Sequence, residues 1–477
     1  VAKQTHNPNV LDSEHVGRLL LKLATPAFFG MFVQMFYNVI NTIFMGYFVS
    51  PLAIGGLSIV FPIQMLAWGI GMMVGMGGSS LISRSIGSGK TNDAERTIGN
   101  GISLGFIISI GLMILVLPFV NFWLRLIGAS DEILPYASPY LVIIISATVI
   151  NTLATSLLNY SRAEGNARVG MIAMILGAVL SIILDAIFVI PLKMGVTGAA
   201  LATIISQTAS LVYLLSYYFA GGSYLKIRLR NLRFDWSILK QMSAIGVSSF
   251  AQTVSSSLSA MLLLRMVVNY GGDTALNAFG IIQRVMMFAT MPAMVLGQAL
   301  QPILGFNYGA KRYHLALKAI KIAVTVSTSL SILAFAALYL IPEPIMRIFT
   351  NDIPTIDAGI HASRLVFFSM PMMGALMVGQ TLFQALGKAA QAFILAIGRP
   401  ILFLIPLVLV MSHLWQLDGV FLSFPMADIL TLILAIGLAV PIFRQLRKSI
   451  VAEKPANIDP AAIKQMAKFT SSRDATK

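Results

Sequence analysis

RSIGSGK at residues 84–90 and FNYGAKR at residues 306–312 lie 222 positions apart, with Gly87 over Gly309. The register extends far beyond these heptapeptides. LAIGGLSI (52–59) lies over TALNAFGI (274–281), with Ala53 over Ala275 and Ile59 over Ile281, Met72 meets Met294 and Gly75 meets Gly297. Near the end of each half the offset becomes 221, where MGVTGAALA (194–202) lies over LDGVFLS (417–423) and Gly198 meets Gly419. A register held without a gap over tens of residues marks an internal duplication. The fold is therefore read as one unit built twice.

The solvent of that unit follows from composition. Of 477 residues, 57% are hydrophobic and 11% charged, and mean hydropathy is +0.83, against about 25% charged residues in an average soluble domain. Apolar stretches near membrane-spanning length recur along the whole chain. Charge and Gly/Pro breaks divide them into twelve expected helices at about 19–46, 51–80, 97–121, 134–160, 168–191, 197–220, 241–268, 275–303, 315–341, 357–385, 390–412 and 418–443. The expected fold class is an all-α integral membrane protein with twelve transmembrane helices in two six-helix lobes, related by a pseudo-two-fold axis along the membrane normal. The expected organisation is an N-terminal cytoplasmic segment (1–18), a first lobe (19–221), a cytoplasmic linker (222–240), a second lobe (241–446) and a polar cytoplasmic tail (447–477). The polar VAKQTHNPNVLDSEHVGR start reads as neither a signal peptide nor a span.

An even helix number places both termini on one side. Lys3, Arg18, Lys22, Arg84, Lys90, Arg96, Arg162, Arg168, the run KIRLRNLRFDWSILK (226–240), Lys311, Arg312, Lys318, Lys321, Lys388, Arg399 and the C-terminal cluster fall on that side, whereas Arg125, Lys193, Arg265, Arg347 and Arg364 fall on the other. The positive-inside rule then makes both termini cytoplasmic. The net charge of +15 is topogenic on this reading, with membrane lipids as contacts and no nucleic acid as partner. Zero cysteines exclude disulfides, thiolate metal sites and cysteine nucleophiles. GSGKT (87–91) imitates the end of a phosphate-binding loop, but Arg84 occupies the position of its first glycine and no strand precedes it.

Two acids fall well inside spans, Asp185 in LSIILDAIFVIP (180–191) and Asp428 in FPMADILT. A carboxylate at the bilayer centre costs about 3 kcal/mol on insertion scales, so a cavity or a partner is expected at each. At the 221 offset Asp185 falls over Pro406 and Asp428 over Gln207; neither acid is duplicated. Helical spacing gives Asp185 neighbours. Gln34, Asn38 and Asn41 share a face of the first helix, Asn151, Thr155 and Asn159 a face of the fourth, Ser181 precedes Asp185 by one turn, and Thr203 and Gln207 share a face of the sixth. These stripes read either as a converging polar cluster or as helix–helix hydrogen bonds. For Asp185 a coupling role is favoured, and for Asp428 a buried hydrogen-bonding role. Glu164 is expected to pair with Arg162 and Arg168 in a turn.

The second lobe is softer chemically. Gln252, Ser256 and Ser259 line one face of the seventh helix, and the eighth contributes Met286, Met287, Met291, Met294 and Gln298. The chain holds 26 methionines. Met31, Met35, Gln252, Ser256, Met287 and Met291 form the candidate substrate cavity, since thioethers re-pack around ligands of different shape; filler or lipid-facing packing is the alternative reading of each. Five scattered histidines, His6, His15, His314, His361 and His413, form no metal or catalytic spacing.

PAFFGMFVQMFYNVINTIFMG, LAIGGLSIVFPI, YSRAEGNARVGM, LDAIFVIPLKMGVTGAALATIISQ and AFGIIQRV with FNYGAKR together resemble the multidrug and toxic compound extrusion (MATE) transporters, in the branch that keeps an acid in the fifth helix. The resemblance implies a proton- or sodium-driven antiporter, with no cofactor and no catalytic residues. It would expel lipophilic, often cationic small molecules by alternating access through a cleft between two lobes, working as a monomer. It also implies an ion-coupling site in which Asp185 and Thr203 match the family pattern, while Ser181 stands where Asn is usual and Asn41 where Asp is usual. Any Na⁺ would sit at Asp185, and no other metal is expected. Gln252 and Gln380 occupy the regions where another branch has second-lobe acids. A lipid-linked oligosaccharide flippase of the same superfamily is the alternative, disfavoured because Arg284 is read as the one basic residue deep in a helix. A membrane-embedded enzyme or receptor lacks a visible catalytic cluster or extramembrane domain.

Overall fold

The computed structural model describes residues 10–49 and 51–453, apart from the side chains of residues 38, 42, 43, 45–48, 51–54, 452 and 453. The first half contains α1 (Val16–Phe48), α2 (Pro51–Gly87), α3 (Thr91–Val116), α4 (Val120–Ile127), α5 (Leu134–Ser146), α6 (Thr148–Ala163), α7 (Ala167–Val189) and α8 (Gly195–Phe219). The second contains α9 (Trp236–Gly309), α10 (Tyr313–Leu340), α11 (Pro342–Phe349), α12 (Ile353–Phe367), α13 (Met370–Ala385), α14 (Ala389–Ile397) and α15 (Ile405–Glu453).

Among the described residues, eight stretches are long and apolar enough to span a bilayer, and two bent pairs, α5 with α6 at 52° and α12 with α13 at 48°, each make one more. Two of the eight are double. The helix of α9 is broken at Gly272, whose φ is 62°. The stretch from Ala389 to Val451 is broken at Trp415 and Gln416, the latter at φ 49°. Twelve spans result, as expected from the sequence.

Their bounds differ from expectation where protein, not lipid, surrounds the chain. The second helix runs to Gly87 instead of ending near residue 80, and the third starts at Thr91 instead of 97. Ser79, Ser80, Ser83 and Ser85 are buried there, so a polar segment that hydropathy would cut short stays helical. Arg399, counted from the sequence among the charges on the cytoplasmic side, lies within a wide π-helical segment, Gly398–Leu404. Pro400 explains that irregularity, since it withholds an N–H, and Ser259 Oγ donates to the Pro400 carbonyl at 2.9 Å.

The apolar cores show how the lobes meet. One cluster, around Val60, Leu124, Leu141 and Ala200, draws only on the first lobe, and another, around Leu263, Phe279, Phe367 and Phe421, only on the second. Both lie toward the end opposite Val16. At the Val16 end the largest cluster crosses between lobes and joins Leu20, Leu23 and Ala27 to Leu300, Ile303, Leu382 and Phe383. The lobes are therefore packed together at one end and part toward the other.

The junction obeys the duplicated register. A Cβ on Gly87 would run into the Phe306 carbonyl, and a Cβ on Gly309 into the Arg84 carbonyl. Residues 84 and 306 are repeat mates, as are 87 and 309, so the contact is reciprocal, as two-fold symmetry requires. Gly305 packs on the Ser83 side chain, its own repeat mate, which locates the pseudo-two-fold axis between these two residues. Across the same junction Ser80 Oγ donates to the Gln384 carbonyl at 2.5 Å, and Arg162 Nη1 donates to Gln298 Oε1 at 2.6 Å.

Candidate ion-coupling site and cleft

Asp185 sits on α7 with no exposed surface, and neither carboxylate oxygen has a hydrogen-bond partner. Ser181, one turn earlier, is buried with its hydroxyl likewise unpartnered. From α8, Thr203 faces the same space: its Oγ1 lies 3.2 Å from the Tyr37 hydroxyl, which also stands beside Ser181 and within electrostatic reach of Asp185. Tyr140 of α5 feels both Tyr37 and Asp185, and Gln64 of α2 approaches its phenol. Asn41 lies one turn beyond Tyr37 on α1, and its Oδ1 is buried without a partner. Asp185, Ser181 and Thr203 thus come together around Tyr37, with Asn41 on the adjoining turn.

A carboxylate, an amide oxygen and hydroxyls without full hydrogen bonding are hard oxygen donors suited to a small monovalent cation or a proton. Among the described residues no three His, Cys, Asp or Glu side chains cluster to hold a multivalent metal. The sequence reading passed over Tyr37, Tyr140 and Gln64. The signal was present in FVQMFYNVIN, where Tyr37 lies next to Asn38 and one turn before Asn41, but an aromatic in an apolar run reads as packing.

The remaining polar residues go elsewhere. Asn151, Thr155 and Asn159 make local bonds, Thr155 Oγ1 to Asn151 Oδ1 at 3.3 Å and Asn159 Nδ2 to the Thr155 carbonyl at 2.8 Å, and pack Thr155 on Gly71 and Asn159 on Gly75. That stripe is the seam between α6 and α2. Gln34 is exposed and Gln207 half-buried; the side chain of Asn38 lies outside the described residues. Asp428 is fully buried and ion-paired with Arg399, whose Nη2 reaches Oδ2 at 3.2 Å. Arg284 is therefore not the one deep basic residue. Gln380 is buried and donates to the Ala392 carbonyl at 3.3 Å.

The Glu164 expectation is corrected. Its Oε2 accepts from Ser223 Oγ at 2.6 Å and Tyr217 Oη at 3.1 Å, while Arg162 turns to Gln298. Burial in this turn pushes the Glu164 carboxyl up to about 7.

Asn277, Gly280, Arg284 and Met287 form an exposed stripe on the second half of α9, and the same face continues to Met291, which is buried in the cluster between lobes. A face that closes onto the other lobe at one end and is exposed further along must border the cleft. Of the candidate cavity residues, Met287 and Ser256 are exposed and Gln252 is half-buried, whereas Met35 and Met291 are buried in the junction with Met31 packed against them. Arg284 is an exposed cation on the cleft stripe.

Two six-helix lobes joined along a two-fold axis at one end, with an unpaired carboxylate buried in one lobe, define a secondary transporter of the alternating-access kind. The MatE family model matches residues 26–187 and 245–410, and the chain belongs to that family, the multidrug and toxic compound extrusion transporters. Similar proteins include Multidrug export protein MepA of Staphylococcus aureus (strain NCTC 8325 / PS 47), 24% identical over 419 residues, covering 87% of this chain and 91% of MepA. MepA of Staphylococcus saprophyticus is 23% identical over 409 residues, covering 86% and 90%. Among solved structures, the outward-facing conformation of a multidrug resistance MATE family transporter of the MOP superfamily superposes with a TM-score of 0.88 at 24% identity, covering 94% of this chain and all of that one. A chain described as protein A superposes at 0.85 with 39% identity, covering 90% and 96%.

Proposed function

We propose that the protein exports lipophilic small molecules by cation antiport, with Asp185 as the coupling carboxylate. The observation that carries this reading is Asp185 itself: fully buried, both oxygens unpartnered, beside the Tyr37–Thr203 pair. A group in that position gains most from binding H⁺ or Na⁺, because either neutralises a charge that the surroundings leave unmatched. The multidrug export activity in the names of the MepA relatives and the methionines along the cleft and junction support drug-like substrates.

The cycle is an exchange between two arrangements of the lobes. With the Val16 end closed, the cleft faces the side away from the termini, which the charge distribution makes the outside. Ion entry to Asp185 favours one arrangement of α1, which carries Tyr37 against Thr203 and Met35 in the junction; loss of the ion on the other side favours the second. The ion drives transport only through different affinities for the two arrangements. Efflux from cells with the proton and sodium gradients collapsed separately tests the reading and names the ion. Efflux that survives loss of both gradients overturns it.

A further inference from the structure

A second cavity lies at the opposite end from the cleft, where the lobes are closed. It is an open pocket of about 460 Å³ between the turn joining α2 to α3, the start of α9 and the turn joining α9 to α10. The GSGKT segment borders it. Its charged lining is Arg84, Lys90, Arg96 and Lys311 against Asp93 and Asp235. Arg96 is committed to Asp235 at 2.8 Å. Among the described residues Lys90, Lys311 and Asp93 enter no ion pair. Arg84 donates through Nε to the Ser80 carbonyl at 3.0 Å, and its Nη2 is buried with no partner. Among the charged lining residues, three cations and one acid are therefore left without an ion-pair partner, an excess of two positive charges.

The duplicated register exposes a further feature. Lys311 has φ 59°, and its repeat mate Gly89 has φ 75°. Glycine adopts that conformation without penalty, whereas another residue gives up about 1 kcal/mol or more. The second lobe keeps a lysine in a glycine's backbone at the rim of a cation-lined cavity. The first lobe supplies its own lysine one position later, Lys90, at the start of α3.

We propose that this cavity binds a phosphoryl group, with Arg84 and Lys90 of the first lobe and Lys311 of the second as its cationic partners. A phosphate monoester carries close to the two negative charges that the lining leaves unmatched, and the volume accommodates the group that bears it. The partners come from both lobes and meet only while this end is closed, so the ligand favours the arrangement with the cleft open at the far end. Either an anionic lipid headgroup or a soluble phosphate ester presents this chemistry.

The full-length transporter is purified and its thermal unfolding followed with inorganic phosphate or chloride at matched ionic strength, then in nanodiscs of phosphatidylcholine with or without phosphatidic acid. Phosphate alone raising the melting temperature identifies a soluble ester as the source; a rise with phosphatidic acid and none with free phosphate identifies the lipid. In either case Lys311→Gly, which restores the glycine of the repeat, and Lys90→Gln each weaken the effect about tenfold or more, while Lys226→Gln, outside the cavity, leaves it unchanged. The chain has no cysteine, so a spin-label pair across the cleft mouth reads the same ligand as a shift toward the open distance. Stabilisation that is absent for both probes, or undiminished in Lys311→Gly and Lys90→Gln, overturns the proposal.

Discussion

Replacing Asp185 with Asn changes one charge and almost no volume. A cation held about 4 Å from a carboxylate in surroundings of effective dielectric about 20 gains about 4 kcal/mol, so losing the charge weakens ion binding roughly 10³-fold. The fold has little to lose, because neither oxygen of Asp185 accepts a hydrogen bond and no ion pair is broken. The variant is expected to insert and purify normally, with a melting temperature equal to or above that of the wild type. Substrate-driven proton or sodium flux in proteoliposomes should fall by at least an order of magnitude, with drug accumulation in cells rising to that of a transport-null strain. The controls are Ser181→Ala and Thr203→Val, which remove neutral oxygens and reduce coupling less. Wild-type flux by Asp185→Asn refutes the coupling role, and a large loss of thermal stability refutes the claim that the carboxylate contributes nothing to the fold.

Breaking the intramembrane ion pair of the second lobe should behave in the opposite way: Arg399→Met leaves Asp428 buried and unpaired and destabilises by about 3–5 kcal/mol, while Arg399→Met with Asp428→Leu is near neutral, as denaturation of the three proteins will read. Glu164 is held at about 7, above the usual carboxylate range, so the native state binds more protons than the unfolded chain between about pH 4.5 and 7. Stability should fall across that window by up to about 3 kcal/mol and level off above it, and Glu164→Gln should flatten the profile in melts from pH 5 to 8. Gly87→Val and Gly309→Val should each force the closed end apart and shift a cleft-spanning label pair away from the open distance. Arg284→Glu exchanges an exposed cation on the cleft wall for an anion; at about 8 Å and the same dielectric each charge contributes about 2 kcal/mol, so export of lipophilic cations should rise by at least about tenfold relative to anions.

The duplication was readable because Gly87 and Gly309 sit at the point where backbones touch, which tolerates nothing larger. The span number was readable because lipid demands length. The bends were less so: Pro371 stands near the break between α12 and α13, but the break at Ala147 has no proline or glycine to announce it. Asp185 was conspicuous because a charge in an apolar run has few explanations. Its surroundings were harder, since helical spacing tells which residues share a face and not which helix that face meets. The stripe of Asn151, Thr155 and Asn159 had the right spacing for a polar cluster and turned toward glycines of α2. Tyr37 came from three residues beyond Gln34, a position whose meaning depends on α8 lying opposite. Arg399 and Asp428 lie 29 residues apart in sequence, and nothing local links them.

The axis between Ser83 and Gly305 has a consequence for how the two halves can change over generations. Away from it, the halves are free to differ, and they do: one has an acid at 185 where the other has Pro406, and one has glycine at 89 where the other has lysine. At the axis a residue faces its own duplicate. A larger side chain at 83 must be answered by a smaller one at 305, so these two positions are inherited as a single locus, and the memory of the original duplication persists longest where the two copies still press against each other.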